Sequence, residues 1–542
     1  MPRSWTDFVI ELPQLVHMLF AFAFGACAGS FIHVVAWRMP EGMSVISPPS
    51  RCPVCGYKLP WYDNVPVIGW LRLRGRCGAC QTPIPARYLL SELAIGLLFV
   101  LVYLLLYSAR PGSFWYPVGQ GWWAGHGIAT TLPALFVVLY AIGSLIAMTL
   151  CDARTYLIPV AIPTWASIVA FAGWPIAALV APHPEIGTPH PFPMEMPPWW
   201  LALGATGALG GLAIGRMLLA AGVLPRSFAD YEEYLANEDD TFADYPHARR
   251  EMIKEVAFLG PAFLLGGIGA LLSRIVAQPE QLPLPVQAFF ACAAGFVIAG
   301  LIVWIVRILA TTLLGIEALG MGDVHLLACA GAAFGWKVAA IGFLLAPFIG
   351  LAWWTVNLVR HAPMRMPFGP ALAIGSIVAF LGRPLLATVL DACLGAMSQV
   401  AAASRERPGG TLAFAGLLGV AAVVAAIPVR RGQGWGAAAS ILLMVLAVVA
   451  WIFSSPMLPV PGAVVGLLLV AGCIAAGRIA QPHLEPESGP RTVLARVLRL
   501  LAFAIVVLGA FLLVTAPAGR PGEEIPLGDG GSPLHPPAGT VQ

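Results

Sequence analysis

The sequence predicts an all-α polytopic integral membrane protein, with about 13–14 transmembrane helices and a small cytoplasmic four-cysteine zinc loop. Three observations carry that class. Of the 542 residues 59% are hydrophobic and only 11% charged, and the mean hydropathy of +0.82 lies far above that of a soluble domain. Apolar runs near the roughly 20 residues needed to cross a bilayer recur from end to end. Basic residues are concentrated in one early polar segment, whereas the formal net charge of +3 says little by itself.

Taken in order, the apolar runs lie near 13–37, 88–108, 129–151, 159–182, 198–223, 256–276 and 287–315. A short run at 324–335 follows, then 338–360, 368–390, 411–428, 434–454, 460–479 and 494–516. The segment 38–87 carries Arg38, Arg51, Lys58, Arg72, Arg74, Arg76 and Arg87 against Glu41 and Asp63. The positive-inside rule places it in the cytoplasm, with the N-terminus outside. Asp7 and Glu11 precede the first apolar run, which therefore reads as an uncleaved first helix over 1–37. Arg360, Arg365, Arg430 and Arg431 fit the same alternation, and Arg405 and Arg407 do not. The loops 109–128 and 183–199, rich in Trp, Pro and His, are expected outside, with tryptophans at interface depth.

Residues 224–255 form a second polar excursion that is strongly acidic, and an acidic run reads as a solvated face. Beyond about 404 the chain is rich in Ala, Val, Leu and Gly, with no recognisable chemistry; 518–542 reads as a disordered tail.

Four of the ten cysteines are clustered. Cys52-Pro-Val-Cys55 and Cys77-Gly-Ala-Cys80 are two CxxC knuckles, each able to set two thiolates on one tetrahedral ion. Metal binding would supply the folding free energy that so short a loop lacks. A redox dithiol or a disulfide is the alternative, but redox use needs one CxxC, and a cytoplasmic position disfavours structural disulfides. With four thiolate ligands no position stays open for substrate, so the ion would be structural. The other six, Cys27, Cys151, Cys292, Cys329, Cys393 and Cys473, stand singly in apolar segments and read as small buried hydrophobes.

Two acids stand out because acids are costly in this setting. Asp323, in Gly320-Met321-Gly322-Asp323, lies between apolar runs, and Asp152 closes the run Leu132 to Leu150. An aspartate at membrane depth is normally retained for function. Two neighbouring carboxylates cannot both ionise easily, so one holds a proton while the other acts as a base. Such a pair activates water against a peptide carbonyl without metal or cofactor. Gly320 and Gly322 clear space for an extended peptide backbone to approach the second acid. The bland reading is that each acid caps a helix or pairs with a nearby base, Asp152 with Arg154 or Asp323 with His325.

Further segments resemble the type IV prepilin peptidases, a family of membrane-embedded GxGD aspartic proteases. Gly29-Ser30-Phe31-Ile32-His33-Val34-Val35 with Arg38-Met39-Pro40 is similar to the family's opening motif. The cysteine loop, with Trp61 to Pro66 and Leu73-Arg74-Gly75, resembles that of the family, as do Arg87-Tyr88-Leu89 and Glu92 after it. Asp152 with Ile158-Pro159, Gly320 to Asp323 with Leu326-Leu327-Ala328, and Pro367-Phe368-Gly369-Pro370 follow in family order. The resemblance covers roughly 13–390. It implies a bacterial inner-membrane endopeptidase with Asp152 and Asp323 catalytic, cutting the basic leader of a prepilin or pseudopilin after a glycine at the cytoplasmic face. Family members with the cysteine loop often also N-methylate the new N-terminus, so S-adenosylmethionine is a candidate co-substrate, although no Gly-rich nucleotide loop establishes it. A lipid bilayer is an expected partner and nucleic acid is not.

Three departures from the family pattern are visible. The aspartates are unusually far apart in sequence, as an inserted helical hairpin and acidic loop within 183–286 would explain. His325 stands where many relatives have lysine, and 391–542, with extra helices over 391–517, has no counterpart in short members. On this division the cysteine loop is 38–87 and the peptidase domain 88–390, with 224–255 inserted. An ion-coupled transporter would place its acids near mid-span in repeated halves, whereas these stand at helix ends with no repeat. A non-catalytic assembly protein of a secretion system is the other alternative.

Overall fold

In a bilayer every backbone polar group must be satisfied within the chain, which leaves helices as the economical solution for apolar runs of this length. The computed structural model describes residues 5–108, 121–180, 192–230, 245–278, 282–315, 317, 319–359 and 367–384. Among these residues ten main helices form: α1 Trp5–Arg38, α2 Ala86–Tyr107, α3 Trp122–Thr155, α4 Ala161–Val180 and α5 Trp199–Ala220. They continue with α6 Ala248–Leu272, α7 Leu284–Leu314, α8 Met321–Phe334, α9 Trp336–Val359 and α10 Gly369–Leu381. Eight of them, α1 to α7 and α9, are long and apolar enough to cross a membrane, and α8 and α10 are shorter apolar helices. The chain is a multi-pass, all-α membrane protein.

Each apolar run expected between 13 and 390 corresponds to one of these helices. The four runs expected after 411, Arg405 and Arg407, and the tail 518–542 lie outside the described residues. Local chemistry sets the ends. Helices α2, α5 and α7 begin directly after Pro85, Pro198 and Pro283, whose fixed φ suits a helix entry. Gly315, at φ 74°, closes α7 in the left-handed conformation that glycine adopts without strain.

Two expectations need correction. The loop expected over 109–128 is shorter at its far end, because α3 already starts at Trp122 and turns at Gly127 (φ 73°). Trp122 and Trp123 are only 2% exposed and pack edge-on against each other, with Phe192 and Trp174 around them. The acidic excursion is not wholly a solvated face either. Its last residues form the first turns of α6, where Glu251 and Glu255 are 1% and 2% exposed. Burial is tolerated there because each has a cation, Lys254 for Glu251 and Arg307 for Glu255.

Sequence neighbours pair as antiparallel hairpins, and α8 sits in the middle of the bundle, packed on α3, α4, α7, α9 and α10. From Val324 to Phe334 every residue of α8 except His325 is buried. At 14 residues it rises about 21 Å, less than the apolar slab, and burial begins at Asp323, with Gly320 exposed and Met321 and Gly322 half-buried at its start. Small residues let it approach α7: a Cβ on Gly331 would overlap the Gly295 carbonyl, and one on Gly295 the Gly331 carbonyl. Such glycine contacts bring membrane helices to backbone distance, where dispersion is strongest. The pair α5–α6 uses the same device, with Gly207 against the Leu265 carbonyl and Gly211 against that of Pro261. Trp174 Nε1 donates to the Ala333 carbonyl at 3.0 Å and satisfies one acceptor at the far end of α8.

Gly331→Val would push a branched side chain into the α7 backbone. Overpacking of this kind typically costs about 1–3 kcal/mol. A lowered thermal unfolding midpoint in detergent, with poorer recovery of folded protein, is the expected result.

Candidate active site and metal centre

Helix α3 stops because Tyr156 takes a left-handed conformation (φ 55°) and Ile158-Pro159 follows. Asp152, in the last turn of α3, is 7% exposed, and its Oδ2 accepts the N–H of Gly369 at 3.1 Å. Gly369 is the first residue of α10, so that N–H has no partner within its own helix. A carboxylate at this position also faces the positive end of the helix dipole. The approach requires glycine, since a Cβ at 369 would lie 2.5 Å from Asp152 Oδ2.

Asp323 is the third residue of α8 and is also 7% exposed. Its Oδ2 accepts the N–H of Gly320 at 3.2 Å, while its own N–H donates to the Gly320 carbonyl at 3.2 Å. It therefore caps its own helix, as the bland reading anticipated. The ion pairs of that reading do not form. Arg154 turns toward α1, donating to the Trp37 carbonyl at 2.9 Å and to Glu41 at 2.5 Å, with its guanidinium 3.6 Å over the Trp37 ring. His325 Nδ1 bonds the Met321 carbonyl at 2.8 Å.

The fold brings the two aspartates into one neighbourhood despite their separation in sequence. Helices α3, α8 and α10 pack on one another. Ile158 fills the space beside both glycines: a Cβ on Gly322 would be 3.0 Å from Ile158 Cβ, and one on Gly369 would be 3.3 Å from Ile158 Cδ1. Two buried carboxylates, each held by one backbone N–H at a helix N-terminus, thus stand next to Gly369 and Gly322, which both abut Ile158.

Sequence reading missed the cation behind this site. Arg307, inside α7 and 1% exposed, donates from Nε and Nη2 to Glu255 at 2.9–3.2 Å and from Nη1 to Glu317 at 2.6 Å. Nη1 also donates to the Leu319 carbonyl, one residue before Gly320. An arginine within an otherwise uncharged span was the available signal.

The cysteine loop is built from one turn used twice. Cys52 N–H donates to the Tyr57 carbonyl and Cys77 N–H to that of Thr82, both at 2.9 Å. Single β-bridges, Arg51 to Lys58 and Arg76 to Pro83, close the two turns. The ligand atoms of Cys52, Cys55, Cys77 and Cys80 all lie within 4.8 Å of one another, a donor set able to hold one metal ion. The Thr82 hydroxyl beside Cys80, 3.1 Å away, pulls that thiol down to about 6, while Cys55 of the same cluster is pushed up to about 11, so the sulfurs share out their protons unevenly. Glu92 ties the loop to α2 by accepting the Val67 N–H at 2.7 Å, and Trp70 Nε1 donates to the Ile84 carbonyl.

The fold and these two sites define a polytopic helical membrane protein with a buried GxGD aspartate pair and a four-cysteine loop. A sequence model of the bacterial peptidase A24 N-terminal domain matches residues 23–106, and one of the type IV leader peptidase family matches 259–355. The second range includes Asp323, and Asp152 lies outside both. A prepilin leader peptidase/N-methyltransferase of Myxococcus xanthus is 52% identical over 81 residues, 15% of this chain and 24% of that protein. One of Klebsiella pneumoniae is 43% identical over 98 residues, 17% of this chain and 43% of that protein. One of Stutzerimonas stutzeri is 25% identical over 412 residues, 71% of this chain and 97% of that protein. The chain thus covers less than half the length of the first relatives it matches. No solved structure matches. The resemblance to the type IV prepilin peptidases is borne out by these matches, which fall on two segments of the chain.

Gly369→Ala places a methyl against Asp152 Oδ2 and should displace that carboxylate. A stability loss of about 1–3 kcal/mol is expected from the overlap, measured by thermal unfolding against the milder control Gly210→Ala, where a Cβ meets nothing within 4 Å.

Proposed function

We propose that this protein is a membrane-embedded aspartic endopeptidase that removes the basic leader of type IV prepilins or pseudopilins. It cuts after a glycine at the cytoplasmic face of a bacterial inner membrane. The observation that supports the reading is that Asp152 and Asp323 are both buried, each bonded to a helix-start N–H, on helices α3, α8 and α10 that pack on one another. Relatives that align over most of the chain are named prepilin leader peptidase/N-methyltransferase.

In the reaction, the ionised member of the pair takes a proton from water while the protonated member donates to the scissile carbonyl oxygen. The tetrahedral species collapses as the carboxyl that took the water proton gives it to the leaving amine and the other carboxylate takes back a proton from the tetrahedral hydroxyl. Gly320, where a Cβ would meet nothing nearer than Asp323 Oδ2 at 3.7 Å, leaves room for an extended substrate backbone, whereas Gly322 makes room for Ile158. The substrate's own helix stays in the bilayer, so only the leader junction need reach the carboxylates. Cytoplasmic placement is supported by the basic residues of 38–87, on the face where Arg154 joins α3 to the end of α1. The reading divides the chain into a first span (1–37), a cysteine loop (38–87) and a peptidase domain (88–390) carrying the inserted segment 224–255. Residues 391–517 add helices.

We assign the cysteine cluster to structural zinc. Four sulfurs at about 2.3 Å from a tetrahedral zinc sit about 3.8 Å apart, and the Cys52–Cys80 and Cys55–Cys77 sulfur separations are 3.8 and 3.9 Å. Bound there, the ion would supply folding free energy to the loop. The relatives' names also carry an N-methyltransferase activity, with S-adenosylmethionine as the methyl donor the family reading implies.

Asp152→Asn and Asp323→Asn are each expected to lower leader cleavage by about 10²–10⁴-fold while the protein stays folded. Proteoliposomes with a purified prepilin, followed by N-terminal sequencing and mass measurement of the product, provide the readout and also reveal methylation. Undiminished cleavage by either variant overturns the aspartate mechanism. Elemental analysis should find about one zinc per chain, lost in Cys77→Ser; a folded loop without metal overturns the zinc assignment.

A further inference from the structure

Buried ions are kept only where their charges are compensated, and the cluster around Arg307 is more elaborate than compensation requires. Glu255 alone would neutralise Arg307, yet the guanidinium is divided between two tasks. Nε and Nη2 are occupied by Glu255, whose Oε2 also accepts Trp304 Nε1 at 2.8 Å. That grip fixes the planar fork and aims Nη1 at Glu317 and the Leu319 carbonyl. The Leu319 carbonyl and the Gly320 N–H belong to the same rigid peptide plane. Arg307 therefore holds one side of a peptide whose other side holds Asp323 Oδ2.

From this we infer that Glu255 is a positioning residue for Asp323, acting through Arg307 and the Leu319–Gly320 peptide. The inference rests on Asp152 and Asp323 being the reacting pair. It also gives the segment before α6 a task. Phe228, from the start of the acidic excursion, lies 5.4 Å over the Arg307 guanidinium, and its N–H donates to Glu251 at 2.6 Å. Glu255 itself stands in α6, which belongs to the stretch that lengthens the interval between the two aspartates. The extra segment is thereby coupled to the site instead of merely tolerated beside it.

The test uses the full chain in proteoliposomes with a purified prepilin bearing a basic leader. Glu255→Gln keeps the shape of the side chain and loses its charge. Displacing a reacting group by about 1 Å can cost about 10²-fold, so kcat should fall by that order with KM essentially unchanged, because Glu255 is not placed against the leader. Arg307→Lys, which loses the fork, should behave alike, and the double variant should be no worse than either single one, since both act by one route. Glu255→Asp should recover part of the rate. If Glu255→Gln fails to fold, Trp304→Phe, which removes one hydrogen bond to the same carboxylate, should show the same kcat-specific loss in a smaller measure. An unchanged kcat in a folded variant, losses that multiply in the double variant, or a rate loss matched by lost folded protein each overturns the inference. If Asp323→Asn cleaves normally, the peptidase reading itself fails; if Asp323→Asn is dead while Glu255→Gln is normal, only the positioning role does.

Discussion

A carboxylate buried among apolar helices needs hydrogen-bond donors, and helix N-termini are where a membrane protein has backbone N–H groups to spare. Both aspartates use that supply. Asp323 takes the Gly320 N–H at the start of its own helix, and Asp152 takes the Gly369 N–H at the start of another. Much of the local architecture follows. Helix α8 must place its third residue, Asp323, where burial begins, α10 must present its first turn to the end of α3, and glycine is required at 369 because any side chain would meet Asp152. The capping role and the proposed chemical role are compatible, since the same bond that satisfies a carboxylate also fixes its orientation.

Close approach of α7 and α8 serves the same end. Gly295 and Gly331 let the two backbones touch, which places Arg307 of α7 beside the loop that enters α8. The guanidinium is then satisfied from both sides, by α6 and by the approach to Gly320. Charge burial, loop geometry and the second aspartate are thus joined in one connected network. The cysteine loop is a separate unit by contrast. It folds through two repeated turns and four thiols, and it is attached to the membrane helices by Glu92 accepting the Val67 N–H.

Asp152 and Asp323, the four cysteines, and the late Gly369 segment were all legible in the sequence. Each is a local exception to an apolar background or a fixed short spacing, and such signals survive without knowledge of the fold. The helices between 13 and 390 were legible for the same reason, because bilayer thickness sets their length. Their ends were less so: α3 begins well before the expected run because buried Trp122 and Trp123 pack with Trp174 and Phe192. Composition says that a tryptophan is amphipathic, not which side of it will be covered.

Sequence by itself determined the class of this protein, its aspartate and cysteine sites, and the family it resembles. Only the tertiary structure decided that the helices carrying the two distant aspartates pack on one another, that Arg154 and His325 are engaged elsewhere, and that Glu255 of an acidic stretch is buried against Arg307. The physical reason is the range of the signals. Hydropathy and short motifs act along the chain within one or two helical turns, whereas the partner of a buried charge is chosen by helix packing. Here the glycine contacts between α7 and α8 made that choice, and they can be recognised as contacts only once both helices are in place.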